Sequence, residues 1–379
     1  MSTPPVPAAR RAVRHRRAAV LAALALLVLT ACGYGSKAKD DPGAEVAVGA
    51  HRIDGLESVR IGYLANLTHA TALVGHRKGF FQKALGATKA QYATFNAGPS
   101  EIEALSAGSI DIAWIGPSPA VNAFTRSQGK NLRIIGGSAS GGVKLVVDPD
   151  TITSLQDVEG KRIATPQLGN TQDVAFLNWA AQQGWSIDPH SGKGDVSVAR
   201  TDNKIIPDAY RSGSIDGAWV PEPTASKLVA EGGRVLLDER SLWPGNTFVT
   251  THIIVSRTFL AHHPQAVEAV LKASVDTNKW INTHPAQAKH VANQQLAADS
   301  GKALPATVLD PAWESIDITD DPLAATLRTQ AEHAAHAGLL DHPALNGIYD
   351  LTLLNKILCD AGENAVDAAG LGAAPPCPR

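Results

Sequence analysis

The heptapeptide Gly108-Ser109-Ile110-Asp111-Ile112-Ala113-Trp114 returns later in the chain as Gly213-Ser214-Ile215-Asp216-Gly217-Ala218-Trp219. The two copies differ only at Ile112 and Gly217, and a proline-containing loop follows each of them. A helical run precedes each copy, so each predicts a helix, a glycine C-cap, a short strand and a loop at the end of that strand. Ligands of open α/β sheets bind at this end of the strands. The repeat therefore predicts two equivalent lobes whose loops face one shared ligand.

Residues 1–31 have the pattern of an export signal. Five arginines and no acidic residue precede the apolar segment 18–29, which is shorter than the ~20 residues that span a bilayer. The segment ends in Leu29-Thr30-Ala31-Cys32, which resembles a bacterial lipobox and implies that Cys32 is lipidated and becomes the new N-terminus. The pair Arg16-Arg17 fits either a twin-arginine signal or a plain basic region.

Residues 32–57 predict a flexible tether, because they are rich in Gly, Ala, Lys and Asp and poor in large apolar side chains. The expected product is a domain that acyl chains hold on the outer face of the cytoplasmic membrane, in the cell envelope. In the tail 359–379, Cys359 and Cys377 would meet an oxidising compartment after export. The sequence leaves open whether these two cysteines form a disulfide.

The charge of the exported chain disfavours nucleic acid as a partner. Without the five arginines of the signal, the formal net charge falls from −2 to −7. The sequence also shows no basic stripe with interleaved aromatic residues.

The remaining part of the chain, about 330 residues, has room for two lobes. Strand patterns alternate with helix patterns in both halves, which predicts an α/β fold with a mainly parallel sheet in each lobe. Ser100 is expected to cap a helix, and Thr171 is expected to begin one. The β-branched stretch 250–255 should carry the chain back to the first lobe. Lobe I is thus predicted to comprise 58–145 and 252–358, and lobe II to comprise 146–251, hinged around a cleft.

Motifs along nearly all of the folded part, roughly 58–358, resemble those of the substrate-binding lipoproteins of bacterial ABC importers for sulfonates, taurine and nitrate. They are Ile61-Gly62-Tyr63, Thr68-His69-Ala70, Asn96-Ala97-Gly98-Pro99, Glu103-Ala104-Leu105, 108–119, 165–173, 219–223, 318–322 and 347–350. The resemblance implies a two-lobed, type II periplasmic-binding-protein fold. It also implies delivery of a captured solute to a membrane permease that an ATPase powers, and no catalysis.

Four loops, two in each lobe, are expected to converge on the cleft and to hold a small anion or zwitterion at helix N-termini, where N–H groups are unpaired. Neutral hydroxyl and amide groups would add hydrogen bonds. The predicted ligand-binding residues are Asn66, Thr68, His69, Ala70, Thr71, Gly116, Pro117, Ser118, Asn170, Thr171, Gln172, Asp173, Trp219 and Glu222.

Several of these residues have a second interpretation. Thr171 and Ser118 also fit a simple capping role, and His69 fits either a donor to an oxyanion or a neutral structural histidine. Trp114 and Trp219 both also fit a place in the core, and of the two Trp219 is the better candidate for a wall of the ligand site. Asp173 and Glu222 would pair with an ammonium group, which favours a taurine-like zwitterion or a cationic heterocycle, unless they point to solvent or cap a helix.

Two further functions remain open at this point. One is an enzyme or binding protein of thiamine-pyrimidine precursor metabolism, which the absence of clustered cysteines disfavours. The other is a surface solute sensor. No cofactor is expected, and monomer is the default. No metal is expected either, because His333 and His336 lie one helical turn apart without a matching cluster elsewhere.

Overall fold

The computed structural model describes residues 52–341 and 343–378, which form two β-sheets with flanking helices. The signal peptide, Cys32 and most of the predicted tether lie outside the described residues. The described end of the tether forms a short 3-10 helix, Ile53–Gly55, and the backbone N–H of Ile53 donates to Thr88 Oγ1 at 3.0 Å. This short helix is thus bonded to the residue just before β2.

Lobe I contains the first sheet and the helices that cover it. Its strands are β1 (Ser58–Leu64), β2 (Lys89–Phe95), β3 (Ile112–Ile115), β4 (Leu132–Gly141), β10 (Val249–Ser256), β11 (Ile316–Ile318), β12 (Tyr349–Asp350) and β13 (Gly372–Ala373). Its helices are α1 (Ala70–Arg77), α2 (Phe80–Leu85), α3 (Gly98–Ser106), α4 (Pro117–Arg126), α8 (Arg257–His262), α9 (Pro264–Thr283), α10 (Pro285–Ser300), α11 (Ala306–Glu314), α12 (Ala324–His336) and α13 (Thr352–Asp360).

Lobe II contains the second sheet. Its strands are β5 (Val143–Val147), β6 (Arg162–Thr165), β7 (Ser197–Arg200), β8 (Gly217–Pro221) and β9 (Arg234–Asp238), and its helices are α5 (Thr171–Gln182), α6 (Ile206–Arg211) and α7 (Thr224–Ala230). Five short 3-10 helices complete the described elements: Ile53–Gly55, Leu67–His69, Gln156–Val158, Glu239–Leu242 and Pro244–Asn246.

The predicted α/β, two-lobed fold is confirmed, but the sheets are mixed where the sequence predicted mainly parallel ones. The strand order is β13-β12-β4-β10-β3-β1-β2 in the first sheet, with β11 beside β4, and β7-β6-β8-β5-β9 in the second. Parallel pairs β1/β2, β1/β3, β6/β7 and β6/β8 carry the helical crossovers. By contrast, β10 and β5 are antiparallel to both neighbours, because each enters its sheet directly from the other lobe without a helical crossover.

The repeated heptapeptide occupies equivalent places in the two sheets. In lobe I the carboxylate of Asp111 accepts hydrogen bonds from the backbone and the guanidinium of Arg60, which also donates to the carbonyl of Gly108. In lobe II, Asp216 and Gly213 accept the same three kinds of bond from Arg162. The aspartate of each copy therefore connects its strand to the neighbouring parallel strand, which is β1 in lobe I and β6 in lobe II.

Two crossings connect the lobes. The first is a single residue, Gly142, between β4 and β5, and the second lies between β9 and β10. Gly141 and Gly142 both have positive φ, 76° and 70°, a backbone conformation that glycine adopts without strain. The stretch 250–255 forms most of β10 in the first sheet, as predicted.

The structure also tests the predicted helix starts at Ser100 and Thr171 and the open question of a disulfide. The helix expected to follow Ser100 begins at Gly98 instead, and Ser100 Oγ donates to the carbonyl of Ala97 at 2.8 Å rather than capping a helix. Helix α5 begins at Thr171, as predicted. A disulfide joins Cys359 at the end of α13 to Cys377, with their Cα atoms 5.4 Å apart.

Candidate functional site

The two lobes meet where strands end and helices begin. In lobe I, Gly116 follows β3 and precedes α4. In lobe II, β6 ends at Thr165 and α5 starts at Thr171, while Glu222 follows β8. Because these segments lie at the carboxyl ends of parallel strands, they lie at the edge where α/β proteins bind ligands.

Three hydrogen bonds cross directly between these segments. The backbone N–H of Gly98 donates to Asn170 Oδ1 at 3.2 Å, and that of Ser118 donates to Thr171 Oγ1 at 3.4 Å. The N–H of Leu67 donates to the carbonyl of Glu222 at 3.1 Å. Neither α3 nor α4 has a side-chain cap from its own N-cap residue. The N–H groups of Gly98 and Ser118 at the two helix starts are therefore paired with side-chain oxygens of the other lobe. An anion could take the place of these oxygens, because N–H groups at a helix start are suited to negative charge.

Gly116 allows a close approach of the two lobes. A Cβ atom at this position would lie 2.4 Å from Thr171 Oγ1 and 3.7 Å from the carbonyl oxygen of Thr250. Its φ of −70° is open to any residue, so the glycine is required by the space between the lobes and not by its backbone conformation.

The loop after β1 forms a network of its own. Asn66 Oδ1 accepts from Thr68 Oγ1 at 2.6 Å and lies 2.7 Å from His69 Nδ1. Burial lowers the pKa of His69 to about 3, so this imidazole is neutral. Thr71 Oγ1 instead donates to Asn278 Oδ1 at 2.6 Å, which ties Thr71 to α9.

Asp173 is engaged inside lobe II, so its carboxylate is not free for a ligand ammonium. Arg200 Nε lies 2.9 Å from Asp173 Oδ1, which also accepts from Thr165 Oγ1 at 2.7 Å. Asp173 Oδ2 accepts the backbone N–H of Gly169 at 3.0 Å. The carboxylate is fully buried and neutralised by the guanidinium, which corrects the expectation of an ammonium contact.

Glu222 is engaged in the same way. Lys144 Nζ lies 2.8 Å from Glu222 Oε1, and the backbone N–H of Ser226 donates to Oε2 at 3.0 Å at the start of α7. Ser315 Oγ reaches Oε1 at 3.4 Å from the end of α11. The contact with Ser226 caps the start of α7, which is the capping alternative that the sequence had left open. The contact with Ser315 joins the side chain of Glu222 to lobe I.

Trp219 is a core residue and not a ligand wall, which corrects the sequence-based preference. Its ring packs against Phe176 and Trp179, with centroids 5.9 and 5.6 Å away, and Nε1 donates to Glu239 Oε2 at 2.8 Å. Because side chains alternate along β8, Trp219 enters the core of lobe II. Trp114 is also fully buried, and its ring centroid lies 5.1 Å from that of Phe81.

The remaining predicted residues lie at the interface of the lobes or beside it. Asn170 Nδ2 donates to Gln172 Oε1 at 2.8 Å, and both residues are buried. Pro117 occupies the first turn of α4, where its missing N–H costs nothing. Ala70 lines a separate cavity with Leu67 and Trp313.

The structure adds residues that the sequence-based set lacked. Gly98 meets Asn170, and the motif around Gly98-Pro99 was a usable signal for it. His252 of β10 is the strand partner of Ile115, the residue before Gly116. Both ring nitrogens of His252 are buried without a partner among the described residues. Lys227 and the segment 202–204 line a cavity beside Asn66. No local sequence signal marks these last residues, because their neighbours come from the other lobe.

Metal and membrane features can be stated only for residues 52–341 and 343–378. In that part, no group of three or more His, Cys, Asp or Glu side chains is placed to hold a metal ion. His333 packs against Trp243, with ring centroids 5.3 Å apart. Over the same residues, no helix combines the length and apolar character needed to cross a membrane.

Comparisons with known proteins agree with this geometry. The sequence model of the NMT1-like family matches residues 54–296. The chain is 29% identical to the taurine-binding periplasmic protein of Escherichia coli over 214 residues, 56% of this chain and 64% of that protein.

Solved structures share the fold. The alkanesulfonate-binding protein of Xanthomonas axonopodis pv. citri bound to MOPS superposes with a TM-score of 0.63 at 22% identity, over 76% of this chain and 96% of that one. The periplasmic nitrate-binding protein of Synechocystis PCC 6803 gives a TM-score of 0.64 at 16% identity, over 77% and 84% of the two chains.

Proposed function

This chain belongs to the NMT1-like family, and from that membership we propose that it is the extracytoplasmic solute-binding subunit of an ABC importer. One observation carries the proposal. The starts of α3 and α4 direct the N–H groups of Gly98 and Ser118 toward Asn170 and Thr171 of the other lobe. A small oxyanion held there would contact both lobes at once, which links capture of the solute to closure.

The proposed solute is an aliphatic sulfonate or taurine, with nitrate as a smaller alternative. Relatives described as taurine-, alkanesulfonate- and nitrate-binding support this set. Helix N-termini carry roughly half a positive charge, so they stabilise a sulfonate without a paired arginine. Because Asp173 and Glu222 already have cationic partners, the structure favours a sulfonate without an ammonium group over taurine.

We assign the contacts to the interlobe segments. Gly116, Pro117 and Ser118 would act with Asn170, Thr171 and Gln172, and the loop of Asn66, Thr68, His69 and Ala70 would close one side. A membrane permease and its ATPase would receive the solute, and no catalytic step is proposed. The importer subunit is proposed to act as a monomer.

The proposed location is the outer face of the cytoplasmic membrane, where lipidation at Cys32 would anchor the chain. More than one acyl chain on the cysteine would hold the protein at the membrane, because each chain buries its CH₂ groups in the bilayer. Substitution Cys32→Ser should release the protein into the soluble fraction, and continued membrane association of this variant would overturn the anchor.

Calorimetry with ethanesulfonate, taurine, sulfate and nitrate tests the function. At 100 times its Kd, a true ligand should raise the free energy of unfolding by ~2.7 kcal/mol, which thermal unfolding detects independently. Binding of at least one anion with a one-to-one ratio supports the proposal. If the full-length protein binds none of the four, the oxyanion-binding role is overturned.

A further inference from the structure

A small cavity between the lobes carries two unpaired lysines. It has a volume of about 60 Å³ and is lined by Asn66 and Asn96 of lobe I and by Asn203, Lys204 and Lys227 of lobe II. We call it the lysine cavity. This volume exceeds the ~10–15 Å³ that one water needs but is far below the ~300–1,000 Å³ of a whole ligand pocket. It therefore suits one small polar group.

Neither lysine has a hydrogen-bond or ion-pair partner among the described residues, in contrast to Lys144, which pairs with Glu222. Lys227 is half-buried, and Lys204 is exposed at the rim. Burial lowers the pKa of Lys227, and the nearby charge of Lys204 lowers it further. An anion between the two ammonium groups would offset both the desolvation and the mutual repulsion.

The other walls fit the same ligand chemistry. Asn66 Oδ1 is already taken by Thr68 and His69, which leaves the Nδ2 donor of Asn66 for the cavity. Asn203 Oδ1 is buried without a partner; this oxygen is an acceptor, so it would meet a donor such as an ammonium group or a protonated acid and not the anion itself. One carboxylate, Asp202, also lines the cavity, and its Oδ1 accepts the backbone N–H of Lys204 at 2.8 Å. Two lysines against one carboxylate leave the cavity with a net positive charge.

We propose that the lysine cavity binds a second acidic group of the solute, so that the solute is a sulfonate with an additional carboxylate or similar anion. This inference rests on the proposed function, because it assumes that the sulfonate occupies the helix starts of α3 and α4. Asn96, which lines the cavity, stands two residues before Gly98 at the start of α3, so the cavity adjoins that helix start. An ammonium tail would be repelled here.

Three short sulfonates with different tails test the inference by calorimetry on the full-length protein. Sulfoacetate carries a carboxylate, ethanesulfonate a methyl group and taurine an ammonium group. We expect sulfoacetate to bind at least about tenfold more tightly than ethanesulfonate, because a charge-assisted contact adds that much. Substitution Lys227→Met should remove this advantage and leave ethanesulfonate affinity within about twofold.

Control variants make the result specific. Lys227→Arg keeps the charge and should retain most of the preference, and Lys204→Met, at an exposed position, should reduce it without risk to folding. Lys193→Met, an exposed lysine of the same lobe, should change nothing. Inorganic phosphate is added in a separate titration, because a free anion could also occupy the cavity.

The titrations distinguish three outcomes for the proposed second acidic group. If phosphate binds the cavity and ethanesulfonate affinity then depends on it, the site holds a separate anion and the proposal of a second acidic group is overturned. If sulfonates bind without preference for sulfoacetate, or the preference survives both Lys227→Met and Lys204→Met, the inference fails while the proposed function stands. If no sulfonate binds the wild-type protein, the proposed function fails first.

Discussion

Thr171 Oγ1 lies 3.4 Å from the backbone nitrogen of Ser118, although the two residues belong to different lobes. The hydroxyl therefore satisfies an N–H group at the start of α4 that no side chain of its own lobe caps. A solute that bridges the lobes would compete for this N–H, or share it with the hydroxyl. If the proposed solute occupies this helix start, the contact would couple closure of the lobes to solute binding through Thr171.

Removal of the Thr171 hydroxyl should weaken solute binding. Thr171→Val keeps the shape of the side chain but loses the oxygen, so ethanesulfonate affinity should fall by ~1–3 kcal/mol in calorimetry. Thr171→Ser retains the hydroxyl and should stay within about threefold of wild type. An unchanged Kd for the valine variant would reduce Thr171 to a contact between lobes without a role in binding.

A side chain at position 116 should hold the lobes apart. In Gly116→Ala the new Cβ would lie 2.4 Å from Thr171 Oγ1, so the closed arrangement cannot form without movement. We expect solute affinity to fall by more than about tenfold and the radius of gyration, measured by small-angle scattering, to stay larger with solute present. The melting temperature without solute should change little, because the φ of −70° suits alanine.

The double variant Gly116→Ala with Thr171→Ala provides the control. If the clash causes the effect, the loss of affinity in the double variant should be smaller than the sum of the two single losses. Strictly additive losses would show that Gly116 acts independently of Thr171.

The sequence predicted those parts of the fold that depend on short-range patterns. The repeated heptapeptide led to two equivalent strands, and the same arginine–aspartate contact occurs at Asp111 and Asp216. The start of α5 at Thr171 also followed from local signals. The antiparallel entry of β5 and β10 did not, because it depends on the path of the chain between lobes.

The site was predictable as a set of loops but not as a set of side-chain roles. Glu222 stands 78 positions from Lys144, and Asp173 stands 27 positions from Arg200. No local pattern reveals such pairs. From the sequence, both carboxylates could therefore be expected to meet a ligand, whereas in the structure each one is paired with a cationic side chain. The burial of Trp219 could not be predicted locally either, because its partners Phe176 and Glu239 come from separate elements.

Loss of the Glu222 charge should destabilise the fold without changing which solute binds. Glu222 is fully buried and Lys144 is 13% exposed, so Glu222→Gln leaves an uncompensated, mostly buried ammonium. We expect the free energy of unfolding to fall by about 3 kcal/mol, measured by urea denaturation. The relative affinities for taurine and ethanesulfonate should stay within about twofold.

An exposed ion pair offers a matched control for this loss. Asp276 and Lys272 of α9 form an ion pair whose side chains are 59% and 61% exposed, so Asp276→Asn should cost less than about 1 kcal/mol. If Glu222→Gln instead weakens taurine selectively, the carboxylate contacts the solute, and the assignment of Glu222 to the junction of the lobes is wrong.

Two buried titratable groups should give stability opposite dependences on pH. Burial lowers the pKa of His252 to about 3 and raises the pKa of Glu101 well above its usual value. Between about pH 4.5 and 6.5 the unfolded chain binds more protons than the folded one at His252, so this contribution to stability falls as pH falls. At Glu101 the folded state binds more protons, so its contribution falls as pH rises through the same window.

Urea unfolding across this window separates the two groups. Each group contributes a slope of up to ~1.4 kcal/mol per pH unit, and the two slopes offset each other in the wild type. His252→Asn should therefore lose less stability than wild type on acidification, or even gain some, whereas Glu101→Gln should lose more. Parallel profiles for wild type and both variants would show that neither buried group changes its protonation equilibrium on folding.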